Sequence, residues 1–195
     1  AKKVEKDNEG ADVAIDVEGD PAIFVFKTAA DALVGKRSFF KVMNGSIKKD
    51  WVLKNARTAA EQKLAHIYNM KGTKQAEVDE LACGDIGMVS KLTDTNTNDT
   101  LSRSGKVEYK KVAYATPYFC KAMYPLTAKD ESKISQAIAR MTEEDLTLKY
   151  ENNPETKQQL IYAMGDMHLS VLAANLKNKF GVNIKYDTPA IAYRE

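Results

Sequence analysis

Apolar and polar positions keep no single rhythm along this chain. Up to about Pro21, large apolar residues are sparse and carboxylates dense, and Gly10 and Gly19 interrupt what pattern there is. Such a stretch cannot bury enough surface to offset the entropy of ordering it, so residues 1–20 are expected to form an acidic linker or tail. The first β-branched and aromatic run is Ile23-Phe24-Val25-Phe26. From there to about Leu101, short apolar runs alternate with Gly, Asn and Asp. Arg37–Val42 reads as a strand, Asn44-Gly45 as a tight hairpin turn, and Trp51-Val52-Leu53 as the returning strand. Across Gln62–Tyr68 the alternation has an imperfect phase that points Leu64 and Ile67 toward a core. Asp85–Leu92 follows the Cys83-Gly84 turn as a further strand. Short strands at this spacing suggest a small closed β-barrel, since closure removes exposed edges.

Around Thr93–Lys111 the chain turns polar, and a domain boundary is placed there, with a barrel domain over 21–105 and a second domain over 106–195. Beyond it the period changes. Ala113–Tyr124 reads as a strand. Thr127 with Asp130 resembles a capping box, and Ile134, Ala137, Ile138 and Met141 recur at helical spacing. Leu146–Tyr150 and Gln159–Met164 read as strands joined by an Asn152–Glu155 turn. A second helix starts near Asp166, carries Leu169, Leu172, Ala173, Leu176 and Phe180 on one face, and stops at Gly181. Asn183–Tyr186 closes as a strand. The order β-α-β-β-α-β predicts a ferredoxin-like domain with two helices on one face of an antiparallel sheet.

The chain has 195 residues, 44% of them hydrophobic and 29% charged, which excludes wholesale disorder. No apolar run reaches the ~20 residues of a bilayer-spanning helix, and the first residues lack the apolar core of a signal peptide. The expectation is a cytoplasmic protein with no membrane partner. Net charge is +2, with residues 1–20 holding three lysines against seven carboxylates, so the remainder is mildly basic. That balance is compatible with phosphate contacts but far from the Lys/Arg density of a dedicated nucleic-acid binder.

Candidate chemistry is mostly excluded. Neither Gly35-Lys36 nor Gly105-Lys106 completes the GxxxxGK[ST] loop that cradles nucleotide phosphates. His66, His168, Cys83 and Cys120 have no local metal-ligand spacing, so no metal site is expected. No nucleophile–base set appears, so no catalytic residue is assigned. His168 reads as a structural or interface residue, and Glu143-Glu144-Asp145 as a solvated helix end. Arg37, Lys41, Lys48 and Lys49 flank the predicted hairpin, read either as a solubilising surface or as phosphate contacts.

Several strings then carry a resemblance. Phe26-Lys27-Thr28, Val34-Gly35-Lys36-Arg37-Ser38-Phe39-Phe40-Lys41-Val42 and Asn44-Gly45-Ser46-Ile47-Lys48 resemble the start of domain II of the elongation factor G family of translational GTPases. Gly84-Asp85-Ile86, with Leu92 through Leu101, resembles a later segment of the same domain. Gly165-Asp166-Met167-His168-Leu169 is similar to a domain III motif, and Pro189–Glu195 to the lead into domain IV. Asn98 stands where the family has Gly, and Asp166-Met167 where it has Glu-Leu. The resemblance implies a ribosome-docking and coupling fragment of a factor that promotes translocation. GTP and magnesium would then belong to a G domain elsewhere in the parent, and the fragment itself would be no enzyme. Implied partners are the ribosome, through small-subunit rRNA and a small-subunit protein, and the parent's own G domain. Residue by residue, Pro117, His168 and Leu172 match positions facing the G domain, and Arg37 and Lys41 are candidates for rRNA phosphates. The alternatives are a free-standing RNA- or protein-binding module, or part of a ribosomal-protection or paralogous factor.

Overall fold

The computed structural model describes residues 4–31, 35–72 and 74–191. Val34 and Ala192–Glu195, which belong to two of the resembling strings, lie outside them. The chain divides into two compact units, Ala1–Val112 and Ala113–Glu195.

The first unit opens with a hairpin, β1 (Val4–Lys6) against β2 (Asp12–Ala14). The long strands β3 (Ala22–Asp31) and β4 (Gly35–Asn44) follow, then β5 (Ile47–Lys48), β6 (Val52–Asn55) and β7 (Glu61–Lys63). Next come β8 (Ile67–Lys71), β9 (Lys74–Val78), β10 (Glu80–Leu81), β11 (Ile86–Ser90) and β12 (Thr100–Ser102). Eight of them form one antiparallel sheet in the order β7-β6-β12-β3-β4-β11-β8-β9, and β5 pairs with β10 separately. Both sheets contribute to one core: Ile23, Val25, Phe40, Val42, Leu53, Ile67 and Leu101 from the large one, Ile47 and Leu81 from the small one, with Leu64 from the link between β7 and β8. Lys49 N to Asp79 O and Leu64 N to Trp51 O extend the β5–β10 and β6–β7 pairings, and Asp50 N to Leu64 O ties one to the other, so the curled sheet has no continuous closing ladder. Period-two alternation built this wall: Phe40 and Val42 point in, while Arg37, Phe39 and Lys41 stay half-exposed outside.

Three sequence expectations meet a different structure. Residues 4–14 form the hairpin rather than a loose tail, because Glu108–Lys110 joins β1: Asn8 N donates to Glu108 O and Lys110 N to Lys6 O. The Asn44-Gly45 pair does not make a hairpin, since β4 pairs with β3 and β11, and β6 with β12 and β7. It turns a corner instead. Gly45 has φ +62°, and its N–H and the Asn44 Oδ1 take the Asp16 carbonyl and N–H respectively. The polar stretch after Thr93 is built into the unit, with Thr95, Asp99 and Thr100 buried. The Asp99 carboxylate takes Arg57 Nε and Nη2 at 2.7 and 2.8 Å, Asn55 Nδ2 at 2.9 Å and Asn96 N at 2.8 Å.

The second unit contains β13 (Phe119–Pro125), α1 (Ala128–Glu144), β14 (Lys149–Asn153), β15 (Gln158–Ala163), α2 (Asp166–Asn175) and β16 (Ile184–Asp187). Its strands lie in the order β14-β15-β13-β16, all antiparallel, which is the ferredoxin-like arrangement. Thr127 caps α1 by accepting the Asp130 N–H, and Asp130 returns to Thr127 Oγ1 and Asn183 N. Ile134, Ile138 and Met141 of α1 and Leu169 and Leu172 of α2 cover Met123, Ile161 and Ala163 of the sheet. The second helix runs on through one π-turn, Leu176–Phe180, and stops at Gly181 with φ +65°.

Candidate functional site

Two sites gather the residues singled out in the sequence. The first is the outer face of β3 and β4. Arg37, Phe39 and Lys41 alternate along β4, and their partners on β3 are Ala29, Lys27 and Phe24. A bulge between Val25 and Lys27 leaves Phe26 exposed, and the Lys27 ammonium lies 5.9 Å from the Phe39 ring centre. Cations thus interleave with aromatic rings, the pairing that meets phosphates with charge and bases with π-faces. Lys36, on the other face, is buried and donates to Asn96 Oδ1 at 2.7 Å. The lysine of the Gly35-Lys36 pair is a structural group.

Lys48 and Lys49, grouped with Arg37 and Lys41 in the sequence, are engaged by local carboxylates. Lys48 lies 3.6 Å from Glu80, and Lys49 meets Glu77 at 2.7 Å, which His66 also reaches at 2.8 Å. Those hydrogen bonds, His66 first, hold the Glu77 carboxyl down at about 2.

The second site is the corner where α1 ends and α2 begins. His168, in the first turn of α2, accepts the Met164 N–H on Nδ1 at 3.2 Å, so Nε2 carries the proton and donates to Asp145 Oδ2 at 2.9 Å. Asp145 caps α1, and its other oxygen accepts the Thr147 N–H at 2.8 Å and hydroxyl at 2.6 Å. Burial pushes the Asp145 carboxyl upward, but the Thr147 and His168 hydrogen bonds outweigh it and leave the pKa below its ordinary value. Glu144 takes the Lys179 ammonium at 2.8 Å on both oxygens. The acidic end of α1 is therefore a paired corner and not the solvated end its sequence suggests. Its partners lie 23 and 35 positions away, which no local spacing could signal.

Leu172, one helical turn beyond His168, is 1% exposed and belongs to the core under α2. Pro117 is half-buried and precedes Phe119, whose register partner Ala163 leads into α2, so Pro117 and His168 share one end of this sheet. Sequence reasoning missed the exposed apolar residues at that end, Tyr118, Met164, Met167 and Val171. Their signal is present in the sequence, since Met167 and Val171 fall one turn apart off the buried face.

Among the described residues, no group of three or more His, Cys, Asp or Glu side chains gathers to hold a metal, and no helix is long and apolar enough to cross a membrane.

Comparison with known proteins agrees with this architecture. Residues 20–104 match a family model described as elongation factor G domain 2, and residues 114–188 one described as elongation factor G, domain III. Elongation factor G of Mycoplasma genitalium is 31% identical over the whole chain, and that of Pseudothermotoga lettingae 32%. The chain covers 28% of the length of each. Elongation factor G of Cytophaga hutchinsonii is 33% identical over 92% of the chain and 26% of its own length. A crystal structure of a Thermus thermophilus protein superposes with a TM-score of 0.79 at 26% identity, covering 89% of this chain and 26% of that one. The barrel, the ferredoxin-like unit and these matches in the same order place the chain in the elongation factor G family, as its domains II and III.

Proposed function

We propose that this chain is the ribosome-docking and coupling part of an elongation factor G-type translational GTPase that promotes translocation. In this reading the GTP-binding domain, with its GTP and magnesium, lies elsewhere in a longer polypeptide. The two domains span little more than a quarter of the relatives' length, which supports that reading. The chain itself then turns over no GTP, and works in the cytoplasm.

The observation that carries the docking role is the outer face of β3 and β4, where Lys27, Arg37 and Lys41 interleave with Phe24, Phe26 and Phe39. Small-subunit rRNA is the proposed partner, with Arg37 and Lys41 on its phosphates. Pro117, His168 and the Leu172 turn are the proposed support for the surface that meets the G domain, a small-subunit protein being a second neighbour. Because Leu172 is buried, it acts by seating α2 rather than by touching a partner.

Co-sedimentation of the 195-residue chain with small ribosomal subunits tests the docking role. Binding is expected to weaken with salt, because phosphate contacts release counterions. Arg37→Ala with Lys41→Ala should weaken it and flatten the salt dependence. Binding that ignores both salt and the double substitution refutes the assignment. A free-standing protein-binding module would give that result.

A further inference from the structure

The outer face of β3 and β4 does not end at Lys41. There residues of β1 and of the 109–112 stretch line an open pocket of about 440 Å³ together with Phe24, Lys41 and Met43. Its apolar lining is Phe24, Met43, Tyr109 and Val112, and the first three pack together as its floor. Its rim carries four ammonium groups, Lys6, Lys41, Lys110 and Lys111, and one carboxylate, Glu5. Hydrogen bonds fix the 109–112 stretch in place. Tyr109 N donates to Thr100 Oγ1 at 2.9 Å, Val112 N to Asn98 Oδ1 at 3.1 Å, and Asn98 Nδ2 returns to the Val112 carbonyl at 3.0 Å. Tyr109 is 3% exposed, so the floor is a packed part of the fold. Lys6 is engaged with Asp12, and Lys111 with Glu108 at 2.8 Å. Lys41 and Lys110 have no acidic partner among the described residues.

The volume lies within the ~300–1,000 Å³ typical of small-molecule sites. The chemistry is an apolar, aromatic floor under a cationic rim, with a single acceptor at the edge. A ligand that fits it is planar, apolar on its faces, anionic at one end and able to donate from its edge. A nucleotide has all four properties. The pocket is also continuous with the Arg37–Phe39–Lys41 row, along which a phosphate backbone would run.

We propose that this pocket takes one unpaired nucleotide of an RNA strand, its base against Phe24 and its phosphate between Lys41 and Lys110. Glu5 accepts from an amino group on the base edge. The inference rests on the docking reading for its choice of RNA, and adds a requirement for an unstacked base. Lys6, Lys110 and Lys111 lie outside both stretches that match the family models, so this site is a feature the matches do not describe.

The test is titration of the chain with a short single-stranded oligoadenylate, a duplex RNA of equal length, AMP and inorganic phosphate, read by backbone amide shifts. The single strand and AMP should move the amides of Met43 and of Tyr109 to Val112. AMP should bind more tightly than phosphate, and the single strand more tightly than the duplex. Lys110→Glu, at an exposed position that leaves the fold intact, should weaken single-strand binding about tenfold, the loss of one charge-assisted contact. Phe24→Leu keeps an apolar floor without a π-face and should weaken AMP but not phosphate. Equal binding of duplex and single strand, equal binding of phosphate and AMP, or indifference to Lys110→Glu overturns the proposal. Binding of free AMP with exclusion of the oligonucleotide also overturns it, assigning the pocket to a free nucleotide. Subunit co-sedimentation of the unaltered chain separates the two readings. If subunits bind while the oligonucleotide does not, the pocket fails and docking stands; if the oligonucleotide binds while subunits do not, docking fails.

Discussion

Removing the Asp145 carboxylate should loosen the second unit and leave the first untouched. In Asp145→Ala, three hydrogen bonds disappear: those from His168 Nε2, Thr147 N and Thr147 Oγ1. At ~1 kcal/mol net for each, the loss is about 3 kcal/mol. Two effects reduce it. The carboxylate opposes the negative end of the α1 dipole, so its removal returns ~0.5 kcal/mol. The side chain is also 37% exposed, so water replaces part of what is lost. The expected cost is about 2 kcal/mol. His168→Ala deletes one of those bonds together with the acceptor of the Met164 N–H, for about 1–2 kcal/mol. The double variant should fall short of the sum by ~1 kcal/mol, because the two share a bond. The assay can assign the loss to one unit. Both long helices lie in the second unit, and the single tryptophan, Trp51, lies in the first. Urea unfolding followed at 222 nm should shift by ~1 M, at a typical slope of ~1–3 kcal/mol/M, while Trp51 fluorescence holds its midpoint. The acid limb supplies a second readout. The Asp145 pKa is lowered in the folded state, so its stabilisation is complete above the unfolded value of ~3.9 and fades as pH falls through the folded one. Wild type and Asp145→Ala should therefore converge in acid and stay separated above ~pH 5. A shift under ~0.5 kcal/mol, or movement of the Trp51 transition instead, refutes the reasoning.

The converse pattern is expected for Asp99, a 3% exposed carboxylate with four donors. Asp99→Ala leaves one hydrogen of the buried Asn55 amide, the Asn96 N–H and the Arg57 guanidinium without their acceptor, and should cost about 3 kcal/mol in the Trp51-monitored transition, with the 222 nm midpoint unmoved. Arg57→Ala should cost about half as much, since Arg57 is 39% exposed. At the corner after β4, Gly45→Ala would bring a Cβ to within 2.6 Å of the Gly19 carbonyl at φ +62°. A loss of about 1–3 kcal/mol is expected by the same fluorescence measurement, and a neutral result would mean that the corner relaxes freely.

Local chemistry made much of this fold legible. The capping box at Thr127, the helical spacing of Ile134 to Met141 and the stop at Gly181 each act within a few residues, and each appears in the structure where the sequence puts it. Failures came where partners are distant. Asn44-Gly45 has the chemistry of a hairpin turn, but β4 had two better partners, and only the three-dimensional sheet could say so. Gln62–Tyr68 looked like one strand out of phase because it is two, β7 and β8, with Leu64 between them resetting the register and both Leu64 and Ile67 buried. The stretch from Thr95 to Thr100 looked like a linker by composition. Its Asp99 carboxylate is buried because Asn55 and Arg57, some 40 residues earlier, satisfy it, while Thr97 bonds Thr28 and Asn98 bonds Val112. At the candidate sites the residue types were readable, but the Asp145–His168 pair and the lysine pocket were not, since each joins segments far apart in sequence.

The strand that carries Arg37 and Lys41 is suited to holding a charge pattern. Each residue from Arg37 to Lys41 is paired with β11 on one edge, and β3 pairs along the other. A strand bonded on both edges has little freedom to twist or slip, because a one-residue slip would exchange its faces and bury Arg37 while exposing Phe40. Four residue steps set the two cations about 13 Å apart along the strand. Ser38 and Phe40 face inward between them and Lys36 just before, its ammonium held by Asn96, so the inner face resists the same slip. Asn96 is in turn held by Asp99, and Asp99 by Arg57 and Asn55. The polar knot inside the barrel and the cationic row outside it are therefore mechanically one system. A surface that must present charge at fixed spacing gains more from this rigidity than from any additional lysine, because side chains held in place lose less entropy on meeting a phosphate backbone.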